Sequence, residues 1–373
     1  MRIAIVGASV AGATAARKLA EQGHEVVAFE RHTDREKFCG GGLTGKLLRE
    51  FPEIRALVGP YVDVKSVRVI SAYGTVAHLG YDGDFRIFSR INLDSKLRQM
   101  AIDAGAEVRD FAVSNIEEHD GRWLVEGEEF DFLIGAGGYN CPVRKLKGRD
   151  VPRSQTAPMV GYLVPGDFGN EVTICILSAF DGYIWVFPRH DHASIGLMAP
   201  GAEMHATSAF QVLDHFIARY CPEADMSRAR RRGAPAPMPM DRNRFADPVA
   251  GANWALVGDA AGLCDPITGE GIYYAMTSAK MLAEAIEAQR PESYDAALRD
   301  RIWPELFEAA RVKHKFFRNW FWEAGVFIMK RSPTCARIAA DYVAGNIGYF
   351  RLKPLTMEKM SRMIAESLLH PLG

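Results

Sequence analysis

This chain lacks the features that would assign it a function at a glance, and each absence excludes a class. It carries no charge of one sign in excess: 45 Lys and Arg face 46 Asp and Glu, a formal net charge of −1. A nucleic-acid partner is therefore not expected, and an anionic partner of any kind would need a local basic patch. Cysteine is sparse, with six residues at 39, 141, 175, 221, 264 and 335 and no C-x-x-C pair. That pattern argues against a zinc ribbon, a Cys-ligated iron–sulfur cluster and a disulfide framework, and it suits reduced thiols in a cytoplasm. No uncharged apolar run reaches about 18 residues, so no membrane-spanning helix is expected, while peripheral attachment stays open. The triplet His190, Asp191, His192 is a polar turn between two strands rather than a metal site. At 373 residues the chain is long enough for two or three domains or sub-domains.

What is present begins at the N-terminus. Arg2 to Val6 is a short apolar run, GASVAG fills positions 7 to 12, a helical pattern follows, Gly23 can cap it, and HEVVAFE forms a second strand ending on Glu30. A strand, turn, helix and strand in about 30 residues is a nucleotide-binding unit. Gly7 permits the tight turn and Gly12 lets the helix approach the strand. The helix N-terminus, with Ala11 in its first turn, offers N–H groups and the positive end of its dipole to a pyrophosphate. Glu30, followed by Arg31, is placed to accept from ribose hydroxyls. Ser9 replaces the second glycine of the usual fingerprint, which narrows the room beside the pyrophosphate. The first residues also satisfy the outline of a signal peptide, but the glycine spacing gives them a more specific task.

Two further glycine-rich stretches need a reason. Residues 38–46 read FCGGGLTGK, in which Gly40, Gly45 and Lys46 match the start of a P-loop. Leu47 then stands where a Ser or Thr hydroxyl must hold Mg²⁺, so the pattern fails. Residues 254–278 read WALVGDAAGLCDPITGEGIYYAMTS, a strand, a Gly258-Asp259 turn, a loop containing Pro266, Gly269 and Gly271, and a helix beginning near Ile272. An aspartate after a strand can bind a ribitol hydroxyl, and a second helix N-terminus favours negative charge on a reduced flavin.

Taken together, GASVAG with Glu30, Arg90 in RINLDSKL, CGGGL at 39–43, GYIWVFP at 182–188 and GDAAGLCDPITGEGI resemble the geranylgeranyl reductase family of FAD-dependent oxidoreductases, which share the fold of para-hydroxybenzoate hydroxylase. The resemblance covers residues 1 to about 290. It implies an α/β chain: a discontinuous Rossmann-like FAD-binding domain at 1–63, 82–155 and 245–290, an inserted antiparallel β-sheet substrate domain at 64–81 and 156–244, and a helical C-terminal region at 291–373. It also implies that Gly40, Gly41 and Gly42 bring backbone close to the flavin ring, that Cys39 acts in catalysis or gates the loop, and that Lys46 is an ordinary helix residue. Gly137, in GAGGYNCPVR, stands where the hydroxylases carry an aspartate that touches flavin and NADPH. The electron donor is therefore left as either NAD(P)H or a ferredoxin-like protein.

Alternating, Val- and Ile-rich segments at 64–81 and 156–198 read as strands. Tyr183, Trp185 and Phe187 share a strand face, which the resemblance makes an apolar wall for an isoprenoid chain, with Tyr183 and Trp185 among the catalytic candidates. After residue 303, aromatic residues mix with Lys and Arg at helical spacing, as in a packed helix, a tunnel cover or a membrane-surface helix. The expected activity is saturation of carbon–carbon double bonds in a geranylgeranyl-type substrate, in a cytoplasmic enzyme with room for peripheral membrane contact. The rivals are a flavin monooxygenase or halogenase of an aromatic or polyketide-like molecule, and an electron carrier to a quinone.

Overall fold

The computed structural model describes residues 1–152, 155–198, 206–238 and 247–369. The chain forms two compact units: Met1–Lys37, Arg90–Thr156 and Ala236–Phe307 make unit 1, and Phe38–Ser89, Ala157–Pro235 and Glu308–Gly373 make unit 2. The expected domain boundary at residues 244 and 245 lies outside the described residues. Strands and helices are numbered in chain order.

Unit 1 is built on a five-stranded parallel sheet in the order β18 (Trp254–Leu256), β12 (Phe132–Gly135), β1 (Arg2–Val6), β2 (Glu25–Glu30) and β8 (Glu107–Asp110). Ile3, Ala4 and Ile5 are fully buried, as a central parallel strand covered on both faces requires. Helix α1 (Val10–Glu21) packs against α4 (Arg90–Asp103) and α7 (Ile272–Glu287). Half of its buried residues are alanine (Ala11, Ala13, Ala15 and Ala16), and with Gly12 these small side chains let the helices approach closely. A three-stranded antiparallel sheet of β9 (Ile116–His119), β10 (Arg122–Val125) and β11 (Glu128–Phe130) leads into β12. The short α5 (Pro142–Leu146), then α8 (Ser293–Arg301) and the start of α9 (Trp303–Phe316), complete the unit.

Unit 2 carries a seven-stranded sheet in the order β17 (Arg230–Pro237), β13 (Thr156–Pro165), β16 (His192–Met198), β15 (Tyr183–Pro188), β14 (Glu171–Ile176), β5 (Ser66–Ile70) and β6 (Val76–Gly80). The pairings β13–β16, β16–β15, β15–β14 and β5–β6 are antiparallel as expected, whereas β14 and β5 run parallel, joining two segments distant in the chain. Helix α6 (Ala206–Tyr220) covers one face, with Leu213 and Phe216 in a core shared with Ile184, Val186 and Ile195. A small sheet of β3 (Gly42–Leu43), β7 (Arg86–Phe88) and β4 (Tyr61–Asp63) is accompanied by α2 (Gly45–Glu50), where Lys46 lies, and α3 (Pro52–Arg55). The chain closes with α10 (Asn319–Met329), α11 (Pro333–Val343) and α12 (Tyr349–Leu369). Among the described residues no helix is long and apolar enough to cross a membrane.

Candidate functional site

In unit 1 the turn after β1 is fixed by contacts that only glycine allows. Gly7 has φ +102°, and a Cβ there would meet the Ala136 carbonyl oxygen at 2.6 Å and Gly137 Cα at 2.8 Å. A Cβ on Gly12 would overlap the Gly7 carbonyl oxygen. The turn is thus pressed against the ends of β1 and β12 and cannot widen. Glu30 adds a second restraint, its carboxylate accepting from Ala8 N at 2.9 Å and His32 N at 3.1 Å. The acid that ends β2 therefore reaches the glycine turn itself, with lone pairs left for hydroxyl donors, while Arg31 beside it is exposed.

Ser9 and Arg90 meet beneath the turn. The Ser9 hydroxyl donates to Asp94 Oδ2 at 2.6 Å and accepts from Arg90 Nη2 at 2.9 Å, while Arg90 also grips Asp94 through Nε and Nη2, each at 2.9 Å. Burial alone would raise the Asp94 carboxyl, but the Arg90 charge and the hydrogen bonds from Arg90 and Ser9 hold it below the usual carboxylate value. A serine at the second fingerprint position is explained by this network. Because its hydroxyl is turned away, α1 starts without a side-chain cap, and its first turn also holds no acid. An N-terminus in that state is suited to a phosphate.

The loop from 258 to 271 closes the other side of unit 1. Gly258 has φ +59°, and a Cβ there would press on Ala11 Cβ at 3.0 Å and Ala275 Cβ at 3.3 Å, so the loop threads between α1 and α7. Asp259 Oδ2 lies 3.9 Å from Lys37 Nζ, and the space beside its Oδ1 is kept open by Gly271. Asp265, not singled out from sequence, orders the segment holding Pro266 and Gly269: its Oδ1 accepts from Ile267 N and Thr268 N, both at 2.8 Å. An Asp followed by proline is the local signal of such a turn. Helix α7, starting at Ile272, also has no side-chain cap and no acid in its first turn.

Arg144 supplies the test of whether a dinucleotide fits these residues. It is 3% exposed. Its Nη2 donates to the Tyr139 carbonyl oxygen, yet Nε and Nη1 have no hydrogen-bond partner among the described residues. Burial depresses its pKa, with Asp259 among the groups opposing the shift. A buried cation with two orphaned donors is costly unless an anion completes it. A pyrophosphate is such an anion, so the two uncapped helix starts, Glu30, Asp259 and Arg144 fit FAD.

Unit 2 holds the other candidates. Cys39 is half-buried and its Sγ accepts from Gly41 N at 3.4 Å. Each neighbouring glycine has a local reason: a Cβ on Gly40 would strike the Phe187 ring, one on Gly41 (φ +79°) would overlap the Phe88 carbonyl oxygen, and one on Gly42 would crowd Phe85. The Cys39 carbonyl accepts from Arg189 Nη2. Tyr183, Trp185 and Phe187 do share a face of β15, opposite Ile184 and Val186, but their exposure differs. Trp185 is 3% exposed, its Nε1 donates to Ser194 Oγ at 3.1 Å, and its ring packs against Phe38 and over Gly196. Tyr183 and Phe187 are only half-buried.

Comparison with known proteins bears on the family and the fold. The profile of an NAD(P)-binding Rossmann-like domain matches residues 5–45. Among named proteins, the chain is 32% identical over 308 residues to the geranylgeranyl diphosphate reductase of Rhodobacter capsulatus, covering 76% of this chain and 74% of that one. It is also 32% identical over 328 residues to the chloroplastic geranylgeranyl diphosphate reductase of rice (Oryza sativa subsp. japonica), covering 77% of this chain and 66% of that longer protein. In three dimensions it resembles a geranylgeranyl bacteriochlorophyll reductase-like protein from Thermoplasma acidophilum, with a TM-score of 0.75, 21% identity, and coverage of 96% and 98% of the two chains.

Proposed function

Because the chain belongs to the geranylgeranyl reductase family, we propose that it is a flavoenzyme that uses FAD to saturate carbon–carbon double bonds of an isoprenoid lipid. The observation that carries the reading is the pair of uncapped helix starts, α1 and α7, held on either side of Gly258. When bound, reduced FAD supplies a hydride to one alkene carbon while a proton goes to the other.

The residues of the chain divide the remaining tasks. The turn from Gly7 to Gly12 and Arg144 hold the pyrophosphate, Glu30 takes the ribose hydroxyls, and Asp259 with the start of α7 takes the ribitol and ring end. Tyr183 and Phe187 offer half-exposed rings to an apolar chain, and Trp185, packed and hydrogen-bonded, keeps that strand face flat. Cys39 is the candidate proton donor or loop gate. Electrons come from NAD(P)H or a ferredoxin-like protein, and the first test does not depend on which.

That test reduces the purified holoenzyme with dithionite without oxygen, adds geranylgeranyl lipids, and follows flavin absorbance at roughly 450 nm together with product mass. Flavin reoxidation with product heavier by two hydrogens per reduced bond is expected. Flavin that stays reduced until oxygen is admitted would overturn the reading in favour of oxygen chemistry. Reoxidation by a quinone alone would make the protein an electron carrier.

A further inference from the structure

Helix α12 has apolar residues on both of its sides. One side is packed, with Met363 buried and Glu366 tied to Ser332 Oγ at 2.6 Å and Thr334 Oγ1 at 2.8 Å. On the other, Phe350, Met357, Ile364 and Leu368 are 57%, 61%, 55% and 78% exposed. Their spacing places all four within an arc of about 40° on a regular helix. Helix α10 repeats the pattern, with Trp320 70% and Phe327 50% exposed seven residues apart. Nine of the sixteen exposed large apolar side chains of the described residues lie from Trp320 onward. Such a concentration marks an interaction surface rather than ordinary surface scatter.

Charge identifies what covers it. From Glu308 to the C-terminus there are eleven Lys and Arg against five Asp and Glu, in a chain that is otherwise acidic. Two of the acids are turned inward to intramolecular donors, Glu323 to Ser71 and Thr75, and Glu366 to Ser332 and Thr334. Arg318 and Lys330 flank α10, and Arg351, Lys353 and Arg362 lie along α12, all exposed. A second copy seated face to face would set this cation excess against itself. A bilayer with anionic lipid instead takes the apolar stripe between its acyl chains and the basic side chains at its headgroups. No described helix is long and apolar enough to span, which makes the contact one that lies on the surface.

We propose that the exposed faces of α10 and α12 form a docking surface for an anionic lipid bilayer. This goes beyond the enzymatic reading and does not depend on it, since the surface is the same whatever molecule is reduced. The test sediments the holoenzyme, without substrate, with vesicles of phosphatidylcholine alone or with about one third phosphatidylglycerol. Wild type is expected to pellet with the anionic vesicles and to be released as salt is raised. Met357→Glu with Ile364→Glu should lower partitioning about tenfold or more, and Arg351→Glu with Lys353→Glu should lower it about fivefold per residue on anionic vesicles only. All four positions are exposed, and circular dichroism checks that the variants fold; the salt dependence is read on the wild type and needs no variant. Equal partitioning of the apolar variant, or no vesicle binding by the wild type, would overturn the proposal. In the second case, a dimer that Met357→Glu with Ile364→Glu makes monomeric would assign the face to a second copy, and an unchanged monomer would assign it to a partner protein.

Discussion

The guanidinium of Arg189 hydrogen-bonds the carbonyl oxygen of Cys39, 150 residues earlier in the chain. Arg189 is 1% exposed, and its Nη1 lies 3.3 Å from His192 Nε2, while His192 Nδ1 lies 2.6 Å from Asp191 Oδ1. A guanidinium only donates, so the tautomer that fits both contacts accepts at His192 Nε2 and turns its Nδ1–H to Asp191. The turn that looked merely polar in sequence thus orients the side chain that holds the glycine loop in place.

Removing that hold should free the loop without dissolving the sheet. Arg189→Ala removes a charged hydrogen bond worth about 1.5–3 kcal/mol, and Arg189→Lys keeps the charge without the planar fork. Thiol labelling with Cys39 as the only remaining half-buried cysteine of unit 2 reads the result. Labelling should be fastest in Arg189→Ala, intermediate in Arg189→Lys and slowest in wild type. Equal rates would show that the loop is held by its glycine contacts alone.

The Asp94 network makes stability depend on acid. Its carboxyl titrates below the ordinary aspartate value, a group depressed in the folded state, because Arg90 and Ser9 outweigh burial. The stabilisation is therefore complete above the unfolded value of about 3.9 and is lost as pH falls through the lower folded value. Asp94→Asn leaves the buried Arg90 without its carboxylate and should cost about 3–5 kcal/mol near neutral pH. Urea unfolding at a series of pH values should show the gap between wild type and variant closing below about pH 4. A gap that stays constant would mean that the ion pair does not carry the difference.

The parts of the molecule that could be read in sequence are those where one residue type has one physical use. Gly7 and Gly12 could be read because a turn pressed on β12 admits no Cβ, and the strands around Ile5 and Val27 because both faces are apolar. Alternation placed Tyr183, Trp185 and Phe187 on one face, but not which ring is buried, since that depends on Phe38 and Gly196 from other segments. The parallel seam between β14 and β5 was hidden because strand pairing leaves no trace in local pattern. Arg90 stood out only through the family resemblance, and nothing in the local pattern pointed to its partner Asp94, four positions along the same helix. The exposed stripe of α12 was equally hidden, because periodicity reports a face and not what lies against it.

Arg144 offers the sharpest separation between a cofactor site and a structural one, because the two roles predict opposite signs. Its Nε and Nη1 are buried without partners among the described residues, and burial already depresses its pKa. If FAD completes it, Arg144→Met removes a buried charge that burdens the cofactor-free protein, and that form should hold or gain stability. The same change should weaken flavin binding by about tenfold to about 150-fold, as expected for one charge-assisted contact to phosphate worth about 1.5–3 kcal/mol. Thermal unfolding of the flavin-free protein and fluorescence titration with FAD measure the two effects separately. Loss of stability with flavin affinity unchanged would make Arg144 a prop for the Tyr139 turn and remove it from the cofactor site.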